Sequence, residues 1–338
     1  MENLFIPTNY KTDMDLLETQ ILIKDIKDYF EKSLALRLDL IRVSAPMFVK
    51  KSSGLNDNLT GVEKPVSFKI NEKKNSKSQV EIVHSLAKWK RYALKDYDFP
   101  LHKGLYTDMN AIRAFEDLDN THSIYVDQWD WEKVISRDDI NEDYLKETVK
   151  EIYNSFLDLE SFLMHRINGY EKLLSDQIYF ISSQELEDLY PDKTPDEREK
   201  LITKEKGSVF ITSIGDKLKS GKKHGDRSPD YDDWQLNGDI VIWNPILDDC
   251  LELSSMGIRV TGEKLKEQLK KADALDRLEF NYHQLLLEDK LPFTIGGGIG
   301  QSRICMLFLQ KAHIGEVQAS VWPEEMKKIC RKNNIILL

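Results

Sequence analysis

Residues 291–303 read Leu-Pro-Phe-Thr-Ile-Gly-Gly-Gly-Ile-Gly-Gln-Ser-Arg and continue into Ile-Cys-Met-Leu-Phe-Leu-Gln at 304–310. Glycines stand at 296, 297, 298 and 300, Arg303 follows, and an apolar helical run comes behind. Glycine permits positive φ and close approach to the backbone. A helix start offers unpaired N–H groups and the positive end of the dipole. Arginine keeps its charge at any physiological pH. The unit is suited to an anion, with a nucleotide the expected one. A P-loop needs Gly-Lys-Ser/Thr where Gln-Ser-Arg stands, and the dinucleotide fingerprint fails because Gln301 and Arg303 occupy the positions of its last glycine. The spacing that remains is Gly296-x-Gly298-x-Gly300-x-x-Arg303.

The chain has 338 residues, 41% hydrophobic and 31% charged, as in a soluble globular protein. Its 48 lysines and arginines against 58 acids leave a net charge of −10, which disfavours a broad nucleic-acid surface. No apolar run approaches the ~18 residues of a membrane span. The start, Met-Glu-Asn-Leu-Phe-Ile-Pro, is not a signal peptide. Cys250, Cys305 and Cys330 are scattered without metal spacing, so a reducing, cytoplasmic setting with core thiols is expected. The Asn58-Leu-Thr60 sequon is set aside for want of a secretory signal.

Outward from the glycine run, apolar residues at 16, 17, 21, 23, 26, 30 and 34 predict a helix over 13–38. A strand with Pro46 in it follows, a position that favours a sheet edge or bulge. Segment 50–61 is a polar loop, and Asp57 within it reads first as a solvated turn aspartate. Strands at 66–70 and 80–83 flank a hairpin tip at 73–77, and His84-Ser-Leu-Ala-Lys-Trp-Lys-Arg91 is amphipathic and dense in cations. Residues 104–113 read as a strand ending on Arg113, 114–122 as a polar loop, and 123–132 as a second strand. Period-two alternation sets Ile124, Val126, Gln128 and Asp130 on one face, opposite Tyr125, Asp127, Trp129 and Trp131. The pair Gln128 and Asp130 beside apolar neighbours suggests a lined site.

Helical spacing predicts a long helix or helix pair over 141–174, and Thr194-Pro-Asp-Glu carries a capping box with proline at the first helical position. Strands follow at 178–181 and 209–214. Loop 215–234 is basic, then acidic, and long enough to suggest function. Strands 238–243 and 250–255 carry Asp239 and Glu252 in apolar surroundings, where a carboxylate is costly unless it is paired or bound to metal. Magnesium is preferred over a structural ion pair for these two. Helices at 263–272 and 276–288 lead back to the glycine run. With no repeat or linker in view, one α+β domain over 1–338 is expected, a mostly antiparallel central sheet flanked by helices.

Five strings carry a resemblance: 84–91; Tyr125-Val-Asp-Gln-Trp-Asp-Trp; Pro229-Asp-Tyr-Asp-Asp-Trp; Glu252-Leu-Ser-Ser-Met-Gly-Ile-Arg; and Gly296-Gly-Gly-Ile-Gly-Gln-Ser-Arg. From about residue 5 to Pro323 the chain resembles the ammonia-dependent asparagine synthetase (aspartate–ammonia ligase) family. That family is related to class II aminoacyl-tRNA synthetase catalytic domains. The three motifs of that class correspond to the first helix and strand, the Arg113 strand pair, and the glycine–arginine run. Departures fall in loops, with 110–122 and 136–141 looking variable.

The resemblance implies a class II synthetase-like fold, a homodimer, and a two-step reaction. Aspartate's side-chain carboxylate attacks the α-phosphorus of ATP, and ammonia then displaces AMP from β-aspartyl adenylate to give L-asparagine. It further implies Asp57, Arg113 and Gln128 as catalytic groups. Ser85, Lys90, Asp130, Asp232, Ser255 and Arg259 are implied for aspartate, though Ser85 also reads as a structural hydroxyl and Asp232 as a solvated loop acid. Arg113, Ser123, Val126, Asp239, Gly298 and Arg303 are implied for ATP, and Asp239 and Glu252 for Mg2+. Free ammonium is the expected nitrogen donor, because Glu2 stands where a glutaminase-type N-terminal cysteine is required. Two rivals are a tRNA synthetase, disfavoured by the few residues ahead of the first helix and the acidic charge, and a non-catalytic regulator binding aspartate or AMP, disfavoured by the joint presence of Arg113, Asp239, Glu252 and Arg303.

Overall fold

The computed structural model describes residues 4–12, 14–57, 63–73 and 76–338. The 58–60 sequon and positions 74 and 75 of the expected hairpin tip lie outside the described residues. Helix α1 (Leu16–Leu38) starts at Asp15, whose carboxylate accepts the Glu18 N–H, and stops at Asp39 in the left-handed region. Leu22, Ile26, Phe30, Leu34 and Leu38 are its buried stripe. Leu16, Leu17 and Ile21, which also fit the helical spacing, are exposed.

Strands β1 (Leu40–Arg42) and β2 (Phe48–Lys50) lie on either side of Pro46 and enter different sheets, each at an edge. β3 (Ser67–Lys73) and β4 (Ser76–Ile82) complete a three-stranded antiparallel sheet with β2. Helix α2 (Ala87–Asp96) follows, then β5 (Gly104–Ile112), β6 (Tyr125–Val134) and α3 (Glu142–Arg166). Next come β7 (Tyr179–Ser182), α4 (Ser183–Leu189), α5 (Pro195–Lys206), β8 (Ser208–Thr212), β9 (Asp232–Asn244) and β10 (Asp249–Arg259). α6 (Gly262–Lys271), α7 (Asn281–Leu287), β11 (Thr294–Gly300), α8 (Gln301–Phe308) and α9 (Glu324–Lys332) end the order. The capping box expected at Thr194 and Glu197 opens α5.

The large sheet runs β1-β5-β6-β11-β10-β9-β8-β7. Only the outer pairs β1–β5 and β7–β8 are parallel. α1 and α3 cover one face. There Phe30 packs on Trp129 at 4.8 Å and on Phe156 at 5.2 Å between ring centres, and Trp131 joins the same core. Because β6 alternates, Gln128, Asp130 and Glu132 must point to the opposite face.

The glycine run is a strand, β11, leading into α8, and among the described residues the glycines at positive φ are at 54, 169, 207, 215 and 221. In a strand the spacing Gly296-x-Gly298-x-Gly300 is period two, so these glycines share one face. β11 lies between β10 and β6 and pairs Gly296 with Glu132, Gly298 with Asp130 and Gly300 with Gln128. A β-carbon on Gly298 would stand 2.6 Å from Gln128 Oε1, and one on Gly296 would overlap the Glu132 carboxylate. The glycines clear floor space for three polar side chains of the neighbouring strand.

Candidate active site

One cross-strand row organises the open face. Asp239 of β9 is opposite Ser255 of β10, Ser255 opposite Gly298 of β11, and Gly298 opposite Asp130 of β6. Four residues read from distant parts of the sequence thus lie side by side. A cavity of about 330 Å³ opens over Ser255, Gly298 and Asp130 of this row. Ser85, Lys90, Arg113, Ser123, Val126, Gln128 and Asp130 border it, as do Asp232, Glu252, Ser255, Arg259, Gly298 and Arg303. Among the sequence-derived candidates, Asp57 and Asp239 stand behind this wall.

At the inner end, cations and acids are interlocked. Lys90 Nζ donates to Asp130 Oδ1 and, at 2.7 Å, to the Gly297 carbonyl. Asp130 Oδ2 is buried with no partner among the described residues, leaving an acceptor for a ligand. Arg259 grips Glu132 through Nε at 2.9 Å and Nη2 at 2.7 Å and reaches Asp232 through Nη1. Thr294 Oγ1 donates to the same Glu132 at 2.7 Å. Burial pushes the Lys90 ammonium toward neutrality, with Asp130 opposing. Burial raises the Glu132 carboxyl, but Arg259 outweighs it and holds Glu132 below its usual value. Asp232 is raised by burial despite Arg259. The alternative reading of Asp232 as a solvated loop acid is set aside, because it is a buried ion-pair partner. The cations that α2 presents are likewise buried: Lys88, Lys90 and Arg91 are all inside, Arg91 donating to the carbonyls of Pro292 and Val260.

At the outer end, three arginines converge. Arg113 follows directly on β5; its Nη1 lies 4.0 Å from Glu116, and its Nε is buried without a partner among the described residues. Arg303, on the first turn of α8, donates to the Glu252 carbonyl at 2.9 Å and to His122 Nε2 at 3.0 Å. His122 is fixed by Asp119, whose carboxylate accepts its ring N–H and the backbone N–H groups of Thr121 and His122. Burial opposes ionisation of Asp119, yet His122 holds its carboxyl at about 2. The helix start itself is partly occupied, because Ser302 N–H donates to Asp127 Oδ1 at 3.1 Å. Arg303, on the same first turn, borders the cavity.

Arg227 is the third arginine, and sequence reading passed over it within a loop dominated by acids. It borders the cavity and pairs with Asp239. Asp239 is raised to about 7 by burial, with Arg227 lowering it and the Glu252 charge raising it. A carboxylate so placed gains from a cation. No group of three His, Cys, Asp or Glu side chains among the described residues is arranged to hold a metal. Two carboxylates completed by phosphate oxygens and water are, however, the usual protein share of a magnesium site, and Asp239 and Glu252 fit that pattern.

Asp57 departs from its solvated reading. It is 1% exposed, and its Oδ2 accepts from the Tyr231 hydroxyl at 3.1 Å, with Tyr231 bordering the cavity. Burial raises its carboxyl above the ordinary range, with Lys88 opposing. Other lining residues the sequence did not single out include Gln318 and Ile314. They come from an irregular segment with no motif to mark it.

Comparison with known proteins follows the same lines. The family model described as Aspartate-ammonia ligase (AsnA) matches residues 17–334. The chain belongs to the aspartate–ammonia ligase family. It is 61% identical over 338 residues to the Aspartate--ammonia ligase of Clostridium perfringens strain 13, covering all of both chains. It is 57% identical over 328 residues to that of Bacillus cytotoxicus, covering 97% of this chain and 99% of the relative. Among solved structures, asparaginyl-tRNA synthetase from Pyrococcus horikoshii complexed with asparaginyl-adenylate superposes with a TM-score of 0.62 at 15% identity, covering 90% of this chain and 70% of that one. Aspartyl tRNA synthetase from Entamoeba histolytica gives 0.60 at 14% identity, covering 89% and 58%. Asparaginyl-tRNA synthetase from Entamoeba histolytica in complex with asparaginyl-adenylate is covered over 66% of its length. These likenesses establish the class II synthetase-like α+β fold.

Proposed function

We propose that the chain makes L-asparagine, AMP and pyrophosphate from L-aspartate, ATP and ammonia through β-aspartyl adenylate. The observation that carries the reading is the row Asp239–Ser255–Gly298–Asp130, with interlocked charges at one end of the cavity over it and three arginines at the other. Lys90, Asp130, Asp232 and Arg259 would hold the α-amino and α-carboxyl groups of aspartate, with Ser85 and Ser255 at the edge. Gly298 offers bare backbone against the nucleotide, flanked by Ser123 and Val126.

Carboxylate and triphosphate repel each other, so the first step needs neutralisation and alignment more than covalent help. Arg113 spans the reacting carboxylate and the α-phosphate. Arg303 holds the far end of the triphosphate, its planar fork matching phosphate oxygens. A carboxylate oxygen forms the new bond to phosphorus, and the bond to pyrophosphate breaks. Asp239 and Glu252 would hold Mg2+, which when bound neutralises phosphate charge. In the second step Gln128 donates to the acyl oxygen and Asp57 accepts a proton from the attacking nitrogen.

A homodimer is part of the proposal. Its support is the exposed apolar surface of the first helix–strand unit, with Leu17 71% and Leu36 85% exposed and Ile21 and Ile41 also open. Cytoplasmic placement draws on three free cysteines. No described helix is long and apolar enough to cross a membrane.

The test is pyrophosphate release with ATP, magnesium and aspartate, with and without ammonium, while asparagine and AMP are quantified. Ammonium-dependent asparagine in step with AMP is expected. Pyrophosphate exchange with no asparagine under any ammonium concentration would overturn the assigned acceptor.

A further inference from the structure

A second cavity, of about 280 Å³, lies on the far side of Arg113. Arg113 and Glu116 border both cavities; Glu63, His84 and Ala114 border only the second. Its inner wall carries His84, which is 1% exposed and whose Nδ1 is buried with no hydrogen-bond partner. Asp57 Oδ1 is buried and unpartnered in the same way. One amide fixes both residues: Asn56 Oδ1 accepts the backbone N–H of Asp57 at 3.0 Å and that of His84 at 2.9 Å. The amide is itself anchored by donating to the Ile82 carbonyl at 3.2 Å. The two backbones are thus tied to one side chain, and each residue keeps a buried polar atom with no partner among the described residues, where such an atom costs about 1–3 kcal/mol.

We propose that the second cavity is the inlet for ammonium and that His84 takes the proton that turns ammonium into ammonia. This rests on the reading of the chain as an ammonia-dependent ligase. The nitrogen has to reach an adenylate held in the first cavity, and Arg113 and Glu116 are described residues that border both spaces. Ammonium carries no lone pair and must lose a proton before it attacks. Burial, then the Arg113 charge, pushes the His84 imidazole below its usual value, which leaves it neutral and able to accept. Glu63 and Glu116 give the cavity two carboxylates, set against the cations Lys64 and Arg113 of the same lining.

The proton count closes. Ammonium gives one proton to His84 Nδ1, and the nitrogen pair forms the bond to the β-carbonyl carbon. The carbon–oxygen bond to the AMP phosphate breaks, and its electron pair leaves with AMP. The nitrogen gives its second surplus proton to Asp57, and both protons drain to water through the second cavity.

The test compares ammonium with hydroxylamine, which is already unprotonated at neutral pH, in wild type, His84→Asn and Ala114→Trp, with adenylate formation measured separately by pyrophosphate exchange. In H84N asparagine formation from ammonium is expected to fall by about 10²-fold or more, the usual worth of a positioned base, while hydroxamate formation falls far less. In A114W, which narrows the inlet, the apparent KM for ammonium rises and those for ATP and aspartate do not. Equal losses for both nucleophiles in H84N, or an unchanged ammonium KM in A114W, would overturn the inlet. A wild-type protein that forms no adenylate overturns the parent reading instead. If H84N fails to fold, A114W alone decides.

Discussion

A methyl group on Gly296 has nowhere to go: it meets the fully buried Glu132 carboxylate and stands 2.7 Å from Arg259 Nη2. Glu132 is held from two sides by Arg259 and Thr294 and cannot swing away. Gly296→Ala is expected to displace Arg259 and lower stability by about 1–3 kcal/mol, the range for overpacking a rigid site. Urea unfolding gives the stability change, and a rise in the aspartate KM larger than that for ATP gives the displacement. Arg113 is the other position where one residue decides. Its Nη1 lies 4.0 Å from Glu116, while its buried Nε has no partner among the described residues and is left for an anion. Arg113→Ala is expected to slow pyrophosphate exchange by about 10²-fold or more, as when a preorganised charge donor is removed. Adenylate formation at the wild-type rate would remove the role assigned to it.

Among the elements, β9 and β10 contribute the two carboxylates assigned to magnesium, and Arg227 already pairs with one of them. The ligand-free fold therefore does not depend on the ion. A chelator is expected to abolish pyrophosphate release and leave the thermal unfolding of the ligand-free chain unchanged, with added magnesium restoring turnover. The turn after α8 carries a separate pH dependence. Glu316 caps it, accepting the N–H groups of Ala312 and His313 and the Tyr10 hydroxyl, yet burial raises its carboxyl from 4.5 to about 7, with Lys311 opposing. A raised folded-state value favours the protonated form, so this contribution to stability is complete below 4.5 and lost as pH rises through about 7. Glu316→Gln is neutral throughout. Its stability relative to wild type is expected to improve on going from about pH 5 to about pH 8, by on the order of 2 kcal/mol, as read from denaturation midpoints at each pH.

For the whole molecule, the open question is what covers α1. Its buried stripe faces α3 and the sheet, while Leu17 and Ile21, one turn apart, face outward. Water around such side chains is displaced favourably by a second apolar surface, at roughly 25 cal/mol per Å². Leu17→Glu with Ile21→Glu is expected to shift the chain from dimer to monomer in sedimentation equilibrium and to leave its circular dichroism spectrum intact. A monomeric wild type at micromolar concentration would remove the dimer from the proposal.

Local patterning carried much of this architecture. Helical spacing located α1 and α3, the capping box located the start of α5, period-two alternation set Gln128 and Asp130 opposite Trp129 and Trp131, and the glycine and arginine spacing pointed to a nucleotide. These are legible because each depends on neighbours within a few residues. The sequence did not reveal which side chains the glycines of β11 make room for, since that depends on the neighbouring strands that supply its hydrogen bonds. Nor did it reveal that Asp57 and Asp232 are buried, that Arg227 pairs with Asp239, or that His84 and Asp57 share one amide. A side chain's charge, exposure and partner depend on what distant segments bring against it, and burial in low dielectric changes an ionisable group more than any sequence neighbour does. The sequence by itself determined the kinds of chemistry available and the elements that carry them; only the tertiary structure decided which charges face each other, because cross-strand pairing aligns residues more than a hundred positions apart.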